Sequence, residues 1–291
     1  MLRLLSLTFA LLWLAMTCGD VLSAPPYEIE VEKAVQYGTG GGEKLLLDLA
    51  RPKEAAGPRP GIVFIHGGGW AAGNRQSFFS RAQQAARRGY VAVTVSYRFA
   101  PRHRFPAQVE DVKCAVRWLR ANAKRVDLDP RRIGAMGSSA GGHLSLMLGA
   151  MDKDDGLEGT GGHAEFSSKV QAVVSFVGPT DFTQSYPEAS RKIVAQFLGG
   201  ELKEKPEVYR RASPITYVNQ GDAPMLLLQG TKDPLVPFQQ AVRMADALTE
   251  SAVPGRVELL VGLGHGWGGA HAKRTADAAW AFFDEHLKLS R

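Results

Sequence analysis

The chain has 291 residues, 45% of them hydrophobic and 22% charged, which is enough to bury a large core within one α/β domain. Its formal net charge is +6, yet Lys and Arg are scattered among acids and the basic runs are no longer than pairs such as Arg87-Arg88 and Arg131-Arg132, so nothing favours nucleic acid as a partner. Only two cysteines are present, Cys18 and Cys114, which argues against a disulfide-built scaffold.

Residues 1–24 read as a signal peptide. Arg3 supplies the positive start, Leu4 to Met16 is apolar but short for a membrane span, and small residues follow around Val21-Leu22-Ser23-Ala24. The expectation is cleavage after Ser23 or Ala24, a mature chain over residues 25–291, export to the periplasm or medium, and no stable membrane insertion. Acylation at Cys18 is weighed against this, but Met16 and Thr17 are not the small residues that should precede an acylated cysteine.

Tyr27 to Tyr37 alternates apolar and polar residues, and Lys44 to Ala50 does so less cleanly, predicting two antiparallel edge strands with Gly38 to Gly42 as their turn. Gly61 to Ile65 is a continuous apolar run, as in a strand buried on both faces. From there short apolar runs alternate with amphipathic ones. Strands are predicted over Tyr90–Ser96, Arg132–Met136, Val170–Val177, Met225–Gln229 and Arg256–Val261. Helices are predicted over Ser77–Arg88, Pro106–Lys124, Ala140–Ala150, Phe238–Ser251 and Ala272–Leu289. Within the second of these, Val109, Val112, Val116 and Leu119 mark the apolar face that holds Cys114, a free structural thiol. The alternation specifies a mainly parallel, doubly wound sheet of about eight strands, helices on both faces, and a ligand site at the carboxyl ends of the strands. Two stretches break the rhythm: Asp152 to Ser168, polar and glycine-rich, reads as a mobile excursion, and Asp181 to Asp222 as a small lid.

Gly137-Ser138-Ser139-Ala140-Gly141 lies between a predicted strand and a predicted helix, the context of a nucleophile elbow, and the G-x-S-x-G frame selects Ser139 rather than Ser138. The competing reading is a glycine-rich turn that only reverses the chain. A serine hydroxyl needs a base and an orienting acid. His265, in the glycine-rich loop after the last strand, is the best-placed base; His271 is its nearest rival, and His143 and His286 sit on helices. Asp233 follows the strand before it and is the preferred acid, although an aspartate before proline is also a common turn cap; Asp181 is the runner-up. His66-Gly67-Gly68-Gly69-Trp70 offers unobstructed backbone donors, so that Gly67, Gly68 and Ala140 would form an oxyanion hole. It lacks the Lys-Ser/Thr ending of a phosphate loop, and no histidine–carboxylate cluster has ligand spacing, so neither cofactor nor metal is expected. Trp70 and Trp267 flank the site in sequence and could line a substrate pocket or pack in the core.

Together with Val95-Ser96-Tyr97-Arg98-Phe99-Ala100-Pro101 and Phe105-Pro106-Ala107 followed by Glu110-Asp111, these motifs resemble α/β-hydrolase fold serine esterases from about Tyr27 onward. The chain is most similar to bacterial bifunctional feruloyl/acetyl-xylan-esterase-like proteins and more distantly to hormone-sensitive-lipase-like carboxylesterases. The resemblance implies a Ser139–His265–Asp233 triad, oxyanion donors at Gly67, Gly68 and Ala140, and support of the oxyanion loop by a carboxylate of Glu110-Asp111 through hydrogen bonds, Asp111 being preferred and a surface-helix role its alternative. Residues 25–291 would then be one catalytic domain. No long helical cap segment precedes the edge strands, unlike in lipase-like relatives, which favours an open site. Short-chain acyl esters, small or linked to plant polysaccharide as acetyl or feruloyl groups, are the expected substrates. Amide cleavage by the same residues is the nearest alternative, and a non-catalytic binding protein the alternative from another class.

Overall fold

The computed structural model describes residues 26–54 and 57–288; the signal-peptide and Cys18 readings lie outside them. Strands β1 (Ile29–Gly40) and β2 (Glu43–Pro52) form an antiparallel hairpin. The turn is narrower than expected. Gly38 to Gly40 stay in the ladder opposite Leu45 to Glu43, and only Gly41 and Gly42 turn, with φ of +54° and +81°. A two-residue turn with both φ positive matches the twist of the strands it joins, and glycine adopts it without steric cost.

The chain continues through β3 (Arg59–Ile65), α1 (Phe79–Arg87), β4 (Val91–Val95), α2 (Ala107–Ala121), β5 (Leu128–Ser138), α3 (Ala140–Ala150) and β6 (Ala172–Phe176). It closes with α4 (Glu188–Leu198), α5 (Pro206–Ala212), β7 (Met225–Gly230), α6 (Gln239–Glu250), β8 (Gly255–Leu260) and α7 (Gly269–Leu287). The eight strands make one sheet in the order β1-β2-β4-β3-β5-β6-β7-β8. Its β1/β2 and β2/β4 pairs are antiparallel and all later ones parallel. This is the α/β-hydrolase architecture. Core side chains of α2, α3 and α6 cover one face, and those of α1 and α7 the other.

The sheet order places the site. From β3 the chain first winds one way to β4, then returns to run the other way through β5 to β8, and a crevice opens where the direction changes. Ile65 pairs with Gly137, so the loop after β3 and the elbow after β5 leave the sheet side by side. Gly230 pairs with Leu260, which brings the loops after β7 and β8 to the same edge.

The Asp152–Ser168 excursion is held, contrary to the mobile segment expected. Glu158 accepts from Lys113 Nζ at 2.9 Å and Arg117 Nη1 at 2.6 Å, two α2 cations whose side chains are 0% and 1% exposed. Ser168 Oγ also donates to Glu158, Arg117 Nε donates to Gly162 O, and Thr39 N–H donates to Gly161 O. Buried cations demand a partner, and the loop supplies it. The second excursion, 181–222, folds into α4, α5 and a short 3-10 turn over Pro214–Tyr217. Phe182, Phe197, Tyr209 and Ala212 from this stretch are buried in the core shared with α2 and α3.

Candidate active site

The elbow is as tight as a polypeptide allows. A Cβ on Gly137 would meet Gly141 O at 2.1 Å, and one on Gly141 would meet Ile65 O at 2.0 Å, so neither position has room for any side chain. Between them Ser139 adopts φ 56° and ψ −122°, a conformation that costs a non-glycine residue on the order of 1–3 kcal/mol. The Ser139 N–H donates to Phe176 O at 2.8 Å, and its carbonyl starts α3 by accepting from His143 N–H. The surrounding packing thus holds a strained residue in place.

His265 reaches Ser139 from the loop after β8. Its Nε2 lies 2.9 Å from Ser139 Oγ and its Nδ1 2.7 Å from Asp233 Oδ2. A carboxylate can only accept, so Nδ1 carries the proton and Nε2 presents its lone pair to the serine hydroxyl. Asp233 follows β7 with its side chain fully enclosed. Burial pushes its carboxyl group up, but the His265 hydrogen bond and the N–H groups of Val236 and Leu235 outweigh that and hold it below the usual carboxylate range. Gln229 Nε2 adds a further donor at 3.0 Å. The runner-up acid, Asp181, instead binds Arg243 at 2.9 Å and Thr183. His271 is exposed on α7, and His286 packs against Phe282 with ring centroids 4.5 Å apart.

The glycine loop packs directly on the elbow. A Cβ at Gly67 would come within 3.3 Å of Ser139 Cβ, and one at Gly68, where φ is +118°, within 2.1 Å of Ala72 O. Among the described residues no acceptor is found for the backbone N–H of Gly67, Gly68 or Ala140. Those are free donors beside the serine. Behind them His66 is buried and stacked on Tyr97 at 4.4 Å, and burial lowers its pKa. Tyr97 OH donates to His66 O at 3.0 Å. Asp111, buried on α2, grips the next residue: its carboxylate accepts from the N–H, Nε and Nη2 of Arg98 at 2.7 to 3.0 Å. Asp111 therefore braces the glycine loop at one remove, through Arg98 and its neighbour Tyr97.

The two tryptophans part company. Trp70 is 3% exposed, stacked on Phe197 of α4 at 4.3 Å, and its Nε1 donates to His143 Nδ1 at 3.1 Å. It packs under the loop rather than lining the cavity next to the serine, because its indole N–H finds its partner inward. Trp267 does face that cavity, a space of about 330 Å³ bordered also by Gly67, Ser138, Phe176 and Gly266. His143 sits on α3, as its place in the sequence predicts, but it is no surface residue. It is instead fully buried, accepts from Trp70, and uses Nε2–H to donate to Ala212 O at 2.8 Å. Burial depresses its pKa to about 4 and keeps it neutral. The signal was present: a histidine in a helix whose other residues are small or apolar must find polar partners.

Comparison with known proteins agrees with this geometry. The family described as BD-FAE matches residues 47–248. Esterase LipC of Mycobacterium tuberculosis is 34% identical over 261 residues, which cover 86% of this chain and 63% of LipC, so the chain spans less than two thirds of that relative. A truncated carbohydrate esterase from gut microbiota superposes with a TM-score of 0.75 at 27% identity, covering 90% of this chain and 99% of that one. Thermogutta terrifontis esterase 2, solved phosphonylated by sarin, gives a TM-score of 0.77 at 26% identity over 89% of this chain and 96% of its own.

Proposed function

The chain belongs to the BD-FAE family, and on that premise we propose that it is a serine carboxylesterase acting through an acyl-enzyme. The observation that carries this reading is the unbroken hydrogen-bonded chain from Ser139 Oγ through His265 to Asp233. Ser139 Oγ attacks the ester carbonyl carbon while His265 Nε2 takes its proton, and Asp233 stabilises the imidazolium so formed. The negative charge passing to the carbonyl oxygen is met by the N–H groups of Gly67, Gly68 and Ala140, each worth about 3 kcal/mol in the transition state. The intermediate collapses, the alcohol leaves with the proton from His265, and water activated by the same nitrogen then releases the acid and restores Ser139.

Short acyl groups, among them acetyl or feruloyl groups on polysaccharide, are the substrates we favour. Support comes from the likeness to a carbohydrate esterase and from the reading of residues 1–24 as a signal peptide that exports a catalytic domain of residues 25–291. No helix among the described residues is long and apolar enough to cross a membrane. The test is turnover of para-nitrophenyl acetate. Ser139→Ala should lose activity by a factor on the order of 10⁴ or more, and a fluorophosphonate probe should label wild type but not the variant. Wild-type turnover by Ser139→Ala would overturn the scheme. Acetylated xylan and methyl ferulate, assayed alongside para-nitrophenyl esters of rising chain length, decide the substrate, and N-terminal sequencing of exported material decides the cleavage.

A further inference from the structure

The cavity bordered by Gly67 and Ser138 contains a cation with no counter-ion among the described residues. Arg81, on the third residue of α1, projects into it with Ser77 and Phe78 on its own side and Phe176, Trp267 and Thr275 opposite. Its guanidinium carbon lies 5.7 Å from the centroid of Phe78 and 5.6 Å from that of Phe176, within cation–π range of both rings. Among the described residues it makes no ion pair and no hydrogen bond. None of the residues bordering the cavity is acidic, and α1 itself carries no Asp or Glu.

The other arginines show how unusual this is. Among the described residues, Arg87, Arg104 and Arg191 also have guanidinium groups without a protein partner, but all three are exposed. Arg81 is half-buried, and desolvation pulls it below the usual arginine range with no carboxylate acting in the other direction. An unpaired, partly desolvated cation is unfavourable by itself and is retained where an incoming anion completes it. Its position tells what brings the anion, since the same cavity borders Gly67, Ser138 and Gly266, the immediate neighbours of the oxyanion loop, the nucleophile and the base.

We propose that Arg81 is a specificity determinant that binds a carboxylate carried by the ester substrate, on its acyl or its alcohol part, with Phe78, Phe176 and Trp267 packing on the group that bears it. This rests on the esterase reading above and deepens it. Substrates of this class are half-esters of dicarboxylic acids, and acyl esters of alcohols or sugars that bear an acid group.

Two matched pairs test it on the purified full chain: para-nitrophenyl hydrogen glutarate against para-nitrophenyl valerate for the acyl side, and para-acetoxybenzoate against para-acetoxybenzamide for the alcohol side. In at least one pair, wild type should show kcat/KM about tenfold higher for the charged ester, with the advantage shrinking as salt rises. Arg81→Gln should collapse that ratio by about tenfold or more, while Arg81→Lys keeps part of it and shows that charge rather than folding is responsible. A charged-to-neutral ratio at or below one in both pairs, or a ratio untouched by Arg81→Gln in a folded variant, overturns the inference. Failure of wild type to hydrolyse any of the four esters would count against the esterase reading instead.

Discussion

Two excursions leave the β/α rhythm of this chain, and they are fastened by opposite chemistry. Residues 152–168 are held by charge: Glu158 reaches the buried cations Lys113 and Arg117 of α2. Residues 181–222 are held by apolar packing, with Phe182 and Phe197 against Trp70 and one hydrogen bond from His143 to Ala212 O. Only the second touches the loop that supplies the free N–H groups beside Ser139. A Cβ at Gly69 would even meet Ile193 of α4 at 2.8 Å. The first excursion should therefore govern stability alone, and the second stability and catalysis together.

The sharpest way to break that contrast is Glu158→Ala. It strands two buried cations and should cost about 3–5 kcal/mol in a urea titration, while the kcat of the folded enzyme stays at the wild-type level. A drop in kcat would mean that the two regions are not separate. Phe197→Ala removes the ring stacked on Trp70; about 3 kcal/mol of stability should go, and kcat for para-nitrophenyl acetate should fall about tenfold as the glycine loop loosens.

His143 offers a pH handle on the second region alone. Its folded pKa is about 4 against an ordinary 6.5, so between those values the unfolded chain holds the extra proton. Its contribution is fully present above pH 6.5, declines as pH falls through the window, and is gone below about 4, a loss of about 3 kcal/mol. Urea midpoints stepped through this range should slope accordingly, and His143→Gln should flatten the slope. The smallest effect is expected from Trp70→Phe, which keeps the stack but deletes the N–H donated to His143: about 1 kcal/mol, with a smaller fall in kcat than Phe197→Ala.

The parts of this molecule that were legible in the sequence are those whose signal is local. The eight strands and the elbow announce themselves through periodicity and through glycines at fixed offsets from Ser139, and the order of Ser139, Asp233 and His265 follows from which strand each one ends. Boundaries shifted where backbone geometry decides them, as in the hairpin, where only Gly41 and Gly42 need a positive φ. What stayed hidden depends on partners far away in the chain. Nothing near Asp152 to Ser168 reveals that Lys113 and Arg117, some 41 to 45 residues earlier, wait for Glu158. Trp70 could equally have faced a substrate, until His143, 73 residues on, claims its N–H. The isolation of Arg81 is likewise a property of the folded cavity, since sequence shows an arginine but not the absence of an acid around it.

The hydrogen-bonded chain has a kinetic corollary. Ser139 and His265 are separated by 126 residues, and Asp233 comes from a third loop, so the three meet only when β5, β6, β7 and β8 have all paired in register. Contacts of such sequence separation carry the largest loop-closure entropy and form late. Recovered turnover in a refolding experiment would thus time the completion of that half of the sheet, a clock that partly assembled chains cannot start.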